Sequence, residues 1–563
     1  MVRTLILCGG LLLAGVGASA QREPVKIHVD AAGSLGVYKP DWNFFGADEP
    51  NYTYAPNGRK LLRELAAIEK ATPIYFRPHN LLTSGDGTAS LKWGSTNAYN
   101  EGADGKPIYN WAITDRIFDN FAATGVRPMV EIGFMPEALS PHPEPYRHDF
   151  PTHGDIATGW SYPPKDYAKW RALIVAWVTH LHKRYGAATD TWLWEVWNEP
   201  DISYFHGTLA EYEKLYDITT GAVRQVLPHA KVGGPGVTGP YPHDDPAKNN
   251  PYFHDFLEHA AHGTNADTGK PGVPLDFISF HPKGSPKFVE ARDGVPGHVQ
   301  MNLAPQMGAT DLGMKIVAEF PEYRRTPIIL SETDPEGCAA CKGPQNGYRN
   351  GPLYGVSVAE MLVRSAELAR LHKVNLEAGV TWAFEFMDQP WFAGFRELAT
   401  NGIDKPVMSV FRMFGMLHGT LLPLSSTGAV PIEEILKHSV SGVPDVNGIA
   451  TRSGSSIDIL LWNYHDEDIE APATAIALSL NGLPTHEALT TEYRMDQNHS
   501  NAYAEWLKQG SPQNPTADQL VRLGKAARLG VIGRGSVAVI DGTGQINISL
   551  PRQGVSLIHV EWR

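Results

Sequence analysis

The sequence predicts an α/β protein in which a (β/α)8 barrel is followed by a C-terminal β-sandwich domain. Between residues 42 and 422, eight short apolar runs alternate with longer amphipathic segments, which is typical of βα units around a parallel sheet. After residue 422 the pattern changes to strands separated by Gly, Pro and Asn turns, and the 563 residues are enough for two domains. Eight βα units favour a closed barrel over an open sheet.

The barrel elements follow from these runs in chain order. The predicted strands are residues 42–46, 73–77, 127–134, 191–198, 231–234, 275–281, 327–331 and 380–387. The clearest helices are residues 58–71, 113–123, 166–185, 209–227 and 356–372. In residues 166–185, Trp170, Leu173 and Trp177 recur every three to four positions, which predicts an amphipathic helix.

The second domain is predicted from a series of short strands with turn residues between them, which is typical of a β-sandwich. These strands are residues 457–464, 475–480, 488–495, 545–550 and 556–562. Residues 25–30 precede the first barrel strand, and we expect them to join this second sheet. The predicted domains are therefore a leader (1–20), an N-terminal strand segment (21–40), the barrel (41–422) and the sandwich (423–563).

The first twenty residues have the layout of a cleaved secretory signal. Arg3 gives a basic start, residues 5–16 are apolar, and Ala18-Ser19-Ala20 supplies small residues before the predicted cleavage site. A lipoprotein signal through Cys8 is disfavoured, because Cys8 lies inside the apolar stretch. We therefore expect a secreted or periplasmic protein.

Charge and composition restrict the partners. The formal net charge is −13, and there is no run of five or six consecutive Lys or Arg residues, so neither nucleic acid nor an anionic membrane is expected as a partner. An uncharged or small polar ligand fits this composition better. Oligomeric state is not predicted.

Cys338 and Cys341 are the two cysteines that remain after the leader. In an oxidising compartment this C-x-x-C pair favours a local disulfide. A structural zinc site normally needs four ligands, and no second ligand pair with suitable spacing is present. A thioredoxin-like role is disfavoured because the surrounding glycines predict a loop. We expect no metal and no cofactor.

Two carboxylates stand at the ends of predicted strands. Glu199 follows Trp197 and Asn198 at the end of strand four, and Glu332 follows strand seven. An isolated Glu at a strand end is usually only solvated. In a barrel, however, the C-terminal ends of all strands open into one mouth, so these two residues can converge. Acetal cleavage needs such a pair, with one carboxyl as proton donor and one carboxylate at the anomeric carbon.

The motif Trp-Glu-Val-Trp-Asn-Glu-Pro-Asp at residues 194–201 resembles the acid/base signature of retaining barrel glycosidases. More narrowly, the chain resembles glycoside hydrolase family 39, which contains β-xylosidases and α-L-iduronidases. The supporting segments are Arg77-Pro78-His79, Phe134-Met135-Pro136, Gly233-Gly234-Pro235, residues 276–281 and Ser331-Glu332. The resemblance extends over nearly all of the mature chain.

The resemblance implies retaining exo-hydrolysis, with Glu199 as general acid/base and Glu332 as nucleophile. Asn198 would bind the 2-hydroxyl of the sugar. Burial and the charge of Glu332 should raise the pKa of Glu199, so that it holds a proton before the first step. After glycosylation removes the charge of Glu332, Glu199 can act as a base.

Other expected substrate contacts lie around the same mouth. His79 and His281 could contact sugar hydroxyls or the nucleophile, the alternative being two histidines with ordinary partners at the barrel rim. On and after strand eight, Trp382, Glu385 and Trp391 could supply a stacking surface and a polar contact for the sugar ring. Core packing is the alternative for these aromatic residues.

Two features depart from the family pattern and bear on substrate choice. Lys283 stands two positions after His281, where family members often carry an aromatic residue, and Cys338 and Cys341 lie in the loop after Glu332. A β-D-xylosidase is the specificity that the resemblance implies. Release of an arabinogalactan side-chain group is one alternative, and release of a uronate, for which Lys283 is a candidate contact, is another. A carbohydrate-binding barrel without catalysis is the alternative from another class.

Overall fold

The structure is a computed structural model that describes residues 23–92, 94–142, 147–150, 154–157, 159–240 and 251–563. The predicted signal peptide lies outside the described residues. Among the helices of the described residues, none is long and apolar enough to span a lipid bilayer.

Eight parallel strands form a closed barrel, with each strand paired to its neighbours in sequence. The strands are β1 Phe44–Ala47, β2 Tyr75–Pro78, β3 Arg127–Ile132, β4 Leu193–Val196, β5 Lys231–Val237, β6 Phe277–Phe280, β7 Pro327–Leu330 and β8 Asn375–Thr381. The principal helices that follow them are α1 Pro56–Ala66, α2 Ala112–Thr124, α3 Tyr167–Tyr185, α4 Leu209–Val226, α5 Tyr252–His262, α6 Ala304–Glu319, α7 Pro352–His372 and α8 Pro406–Phe414. The predicted barrel is therefore confirmed.

Local chemistry explains several of these boundaries. α3 begins after Asp166, whose carboxylate accepts hydrogen bonds from two backbone N–H groups of the first turn. α4 begins with a capping box formed by Thr208 and Glu211. The face of α3 that carries Trp170 and Trp177 is fully buried.

The predicted position of β8 is wrong by about one strand length. The prediction placed it at residues 380–387, whereas the strand is Asn375–Thr381 and the buried aromatic residues that follow belong to a loop. Those residues are apolar because they line the top of the barrel. Gly46 in β1 permits this packing, since a Cβ there would overlap the ring of Trp382.

A second, ten-stranded and mostly antiparallel sheet forms the β-sandwich. In spatial order its strands are Thr420–Leu421, Asp445–Ser453, Ser456–Tyr464, Gly554–Glu561, Glu487–Met495, Gly530–Ile540, Thr543–Leu550, Thr474–Asn481, Val25–Asp30 and Leu424–Ser426. Val25–Asp30 runs parallel to Thr474–Asn481, with Ile27 opposite Leu478. These two side chains contribute to an apolar core separate from that of the barrel.

Short elements complete the two domains. Two-stranded ribbons pair Tyr99–Glu101 with Pro107–Tyr109, Arg147–Phe150 with Gly154–Ala157, Lys287–Val289 with His298–Gln300, and Ala399–Thr400 with Ile403–Asp404. The remaining α-helices are Ile432–His438, Ala502–Lys508 and Ala517–Ala526, and the 3-10 helices are Pro50–Tyr54, Glu137–Leu139, Gly186–Thr191, Pro321–Tyr323 and Pro344–Asn350. Helices Ala502–Lys508 and Ala517–Ala526 pack against Phe392 in the loop after β8.

Candidate active site

Glu199 lies just beyond the C-terminal end of β4, in a backbone turn that is pinned on both sides. Trp197 and Glu199 both adopt positive φ angles, 70° and 46°. This region is sparsely populated for residues other than glycine. The N–H of Trp197 donates to the carbonyl of Ile132 at the end of β3 (3.1 Å), and the N–H of Glu199 donates to that of Gly236 in β5 (2.9 Å). The neighbouring strands thus hold the turn that presents Glu199 to the barrel mouth.

Glu332 is held in the same way beyond β7. The N–H of Ser331 donates to the carbonyl of Phe280 in β6, and the N–H of Thr333 donates to that of Val380 in β8, both at 3.0 Å. The backbone on each side of Glu332 is therefore bonded to a neighbouring strand. Its side chain is buried at the mouth of the barrel.

The two carboxylates converge as the sequence predicted. One oxygen of Glu199, one oxygen of Glu332 and a ring nitrogen of His281 all lie within 4.8 Å of one another. Nδ1 of His281 is 2.9 Å from Oε1 of Glu199 and 3.9 Å from Oε1 of Glu332. These two oxygens are therefore closer together than the roughly 6.5 to 9.5 Å that separates the carboxyl groups of inverting glycosidases.

Burial raises the pKa of Glu199 to about 7, and the nearby charge of Glu332 adds to this effect. The adjacent His281 does not compensate, because burial lowers the pKa of its imidazole well below the usual value and leaves it neutral. Glu199 is therefore a carboxyl group that holds its proton in mildly acidic solution.

Glu332 has the opposite character. Burial alone would raise its pKa, but the charge of Lys283 and a hydrogen bond from His79 outweigh that effect and hold the pKa well below the usual value. Nζ of Lys283 donates to Oε2 of Glu332 at 2.7 Å, and Nη1 of Arg77 donates to Oε1 at 3.2 Å. Each carboxylate oxygen thus has a cationic partner, and Glu332 remains ionised.

Arg77, at the end of β2, organises the floor of the site. Its guanidinium is fully buried and donates to Glu195 as well as to Glu332. Nη2 of Arg77 donates to Oδ1 of Asn198 at 3.1 Å. Because a guanidinium can only donate, this contact sets the orientation of the Asn198 amide and leaves its Nδ2 as a donor. Glu195 also accepts from Ser279 Oγ at 2.6 Å.

The structure also brings His79 and Trp382 into this cluster. Nδ1 of His79 is 2.9 Å from Asp48, and its Nε2 is 3.4 Å from Glu332. The Trp382 ring packs against the His79 ring, with 4.3 Å between centroids, and the guanidinium carbon of Arg77 lies over the Trp382 ring, 5.1 Å from its centroid. Trp382 is almost fully buried, which favours packing beneath the site over an open stacking surface.

The structure does not bring Glu385 and Trp391 to the carboxylate pair. Glu385 accepts a hydrogen bond from the backbone N–H of Gly402 within the loop after β8. Trp391 packs beside the cluster around Phe392, and its backbone N–H donates to Gln513 of the second domain at 2.9 Å. The loop carries both residues away because its path is set by these contacts and not by continuation of the strand.

The predicted disulfide between Cys338 and Cys341 is present in the loop after β7. The guanidinium of Arg349 donates to the backbone carbonyl of Cys338 at 2.7 Å and to that of Cys341. Arg349 and Arg396 both bind the carboxylate of Glu336. The bridged loop is therefore anchored to buried arginines beside the site.

Among the described residues, Glu199, His281 and Glu332 are the one group of side chains with the proximity to hold a metal ion. Lys283 and Arg77 already neutralise the charge of Glu332, and a cation bound there would face both of them. This donor set suits acid–base chemistry better than metal binding.

Sequence reasoning did not assign Arg77, Glu195 or Lys92 to the site, where Lys92 forms an ion pair with Asp48 beside His79. A signal was available for the first two, because each is a charged residue within a run that forms a buried strand, and a buried charge requires a partner. Lys92 had no such signal, since it lies in a loop without periodicity. Lys283 was singled out, but its contact with Glu332 was not predicted.

Comparisons with known proteins agree with this geometry. The profile of glycosyl hydrolases family 39 matches residues 25–540. A β-xylosidase of Geobacillus stearothermophilus is 28% identical over 464 residues, 81% of each chain. An α-L-iduronidase of Mus musculus is 25% identical over 380 residues, 63% of this chain and 56% of that protein.

A likeness in fold is also clear. The crystal structure of the GH39 enzyme from Xanthomonas axonopodis pv. citri superimposes with a TM-score of 0.73 at 21% identity, covering 98% of this chain and 99% of that one. The profile match spans most of the chain and includes both strand-tip glutamates. The protein belongs to glycosyl hydrolases family 39 and is a glycoside hydrolase.

Proposed function

We propose that this enzyme is a retaining exo-glycosidase that removes β-D-xylosyl units from plant-type oligosaccharides. The observation that carries the mechanism is the pair of carboxyl groups within 4.8 Å of each other, one protonated and one ionised. The similarity to β-xylosidases supports the choice of sugar.

In the first step, the Glu332 carboxylate attacks the anomeric carbon while Glu199 gives its proton to the departing oxygen. The bond to the leaving group breaks, and a covalent glycosyl ester forms on Glu332. Arg77 and Lys283 hold Glu332 ionised until this attack, because both interact more strongly with the carboxylate than with the neutral acid. Asn198 Nδ2 donates to the 2-hydroxyl of the sugar as positive charge develops on the ring.

In the second step, water attacks the same carbon and Glu199 accepts the proton of that water. Formation of the ester has removed the negative charge of Glu332, and with it one of the two causes that raise the pKa of Glu199. Glu199 is then a stronger acid, remains ionised and acts as the base. The sugar leaves with its original anomeric configuration.

A second candidate substrate is a uronate. Lys283 lies at the nucleophile, and α-L-iduronidases are among the relatives. The xyloside remains the first choice, because Lys283 lies 2.7 Å from Glu332 and 3.4 Å from Asp334 and so already faces two carboxylates.

We also propose that the signal peptide is cleaved after Ala20 and that the mature enzyme is exported.

A panel of chromogenic glycosides tests this proposal: β-D-xylopyranoside, α-L-arabinofuranoside, α-L-iduronide and β-D-glucuronide. We expect the highest kcat/KM on the xyloside, no hydrolysis by Glu332→Ala, and β-xylose as the first product in an NMR time course. Faster cleavage of a uronide would replace the xyloside by the second candidate, and α-xylose as first product would contradict retention.

A further inference from the structure

Lys92 is a buried lysine that has no role in the mechanism proposed above. Its side chain is about 10% exposed, and its Nζ is 2.5 Å from Oδ2 of Asp48. Asp48 follows β1 directly and His79 follows β2, so both lie at the mouth of the barrel. Oδ1 of Asp48 is 2.9 Å from His79, which in turn reaches Glu332. Lys92 is therefore separated from the nucleophile by only two side chains.

The backbone conformation at Lys92 holds its side chain toward Asp48. Lys92 has a φ angle of 56°, an unfavourable conformation for a residue with a Cβ. Its N–H donates to the buried Oε1 of Glu49 at 2.6 Å, which holds that conformation in place. On the opposite side, Nδ2 of Asn80 donates to the carbonyl of Asp48 at 2.9 Å. A surface lysine would need none of these contacts.

The charge of Lys92 reaches the reacting groups. It opposes the rise in the pKa of Glu199, and it interacts electrostatically with Glu332. Within the described part of the chain, Asp48 is the ion-pair partner of Lys92. An ammonium group has three N–H donors, so this pair leaves donors for a ligand in the pocket.

We propose that Lys92 and Asp48 together bind hydroxyl groups of the sugar in the catalytic pocket, at ring positions away from the 2-hydroxyl. The ammonium group donates to one hydroxyl, and the carboxylate accepts from its neighbour. Because Asp48 neutralises Lys92, this pair favours neutral hydroxyls over an anionic substituent. β1 and β4 lie on different sides of the mouth, so Asp48 and Asn198 contact different edges of the ring.

This inference rests on the proposed glycosidase function and names the residues that select its sugar. It is tested with the p-nitrophenyl glycoside that the wild type cleaves fastest, expected to be the β-D-xylopyranoside, and with its 3-deoxy and 4-deoxy analogues. Lys92→Met should lower kcat/KM for the parent glycoside by about 10- to 100-fold. For the analogue that lacks the contacted hydroxyl, the loss should be less than about threefold.

Lys405→Met is the matched control, because Lys405 is also a buried lysine, paired with Glu397 at 3.1 Å, but has no contact with the carboxylate pair among the described residues. We expect its discrimination between parent and deoxy glycosides to equal that of the wild type. Since an unpaired Asp48 could disturb the fold, the double variant Asp48→Asn/Lys92→Met is measured as well, and it should show the same loss of discrimination.

Equal losses on the parent and on both deoxy analogues, in the single and the double variant, would overturn the inference and leave Lys92 as a support for Asp48 and His79. The rates of the wild type on the different glycosides test the proposed function independently of the role of Lys92. A wild type that prefers another glycoside would change the assigned sugar, whereas the comparison between parent and deoxy substrates would still decide the role of Lys92.

Discussion

The ends of β4 and β7 present the same chemical group in opposite surroundings. At the end of β4, Glu199 is desolvated and lies 2.9 Å from a neutral histidine, and burial together with the charge of Glu332 raises its pKa to about 7. At the end of β7, Glu332 is also buried, but the charge of Lys283 holds its pKa well below the usual value, and Lys283 and Arg77 bind its two oxygens.

In the mechanism that we propose, the role of each glutamate is therefore set by its neighbours. Both residues follow short buried strands, and both are held by backbone hydrogen bonds to adjacent strands. The proposed nucleophile, Glu332, accepts hydrogen bonds from two cationic side chains, whereas the proposed acid, Glu199, faces a neutral imidazole. Experiments that change one end without changing the other therefore test the account most sharply.

The largest effect is expected from removing the carboxylate at the end of β7. Glu332→Ala should reduce kcat by roughly 10⁴- to 10⁶-fold, because it removes the carboxylate that forms the glycosyl ester in the proposed mechanism. Azide, a small anionic nucleophile, should restore turnover by occupying the space and give a glycosyl azide of inverted configuration. Glu322→Ala, the same change at an exposed glutamate, should retain activity. An azide product of retained configuration would assign the nucleophile elsewhere.

A smaller and substrate-dependent effect is expected at the end of β4. Glu199→Gln cannot donate a proton, so kcat/KM should fall by about 10²- to 10⁴-fold for a glycoside with a poor leaving group. A dinitrophenyl glycoside needs no protonation in the first step and should lose much less. The decline of wild-type kcat/KM above about pH 7, where Glu199 ionises, should disappear in this variant. An equal loss on both substrates would contradict the assignment.

The smallest effect is expected from removing one cation. Lys283 lowers the pKa of both Glu332 and Glu199. Without it both values rise, so the acidic and basic limbs of the kcat/KM profile should each move to higher pH, by about one unit. Lys283→Met is compared with Lys287→Met, at an exposed lysine of the neighbouring ribbon. If both limbs of the kcat/KM profile of Lys283→Met stay at their wild-type pH, Lys283 does not control the pKa values of Glu332 and Glu199.

The sequence predicted the barrel because buried parallel strands and amphipathic helices have different periods. It was less reliable where buried residues lie outside strands. Trp197 is fully buried, and the pattern therefore extended strand four to residue 198, but its positive φ ends the strand at Val196. For the same reason strand eight was shifted, since Trp382 and its neighbours are apolar residues of a loop.

In the candidate site, too, residues at strand ends could be predicted from the sequence and residues in loops could not. Glu199, Asn198, Glu332 and His281 could be predicted to meet, because strand ends converge in a closed barrel. Trp391, by contrast, lies in a loop whose path depends on contacts with the second domain, including Gln513, 122 residues away. No periodicity encodes such a contact, so sequence patterns alone could not place it.

Trapping of the glycosyl intermediate would show which of the two glutamates is the nucleophile. The wild-type enzyme is incubated with an activated 2-deoxy-2-fluoro-xyloside, digested and analysed by mass spectrometry. We expect one added fluorosugar on the peptide that contains Glu332 and none on the peptide that contains Glu199. Label on Glu199, or complete inactivation without any covalent adduct, would contradict the division of roles between the ends of β4 and β7.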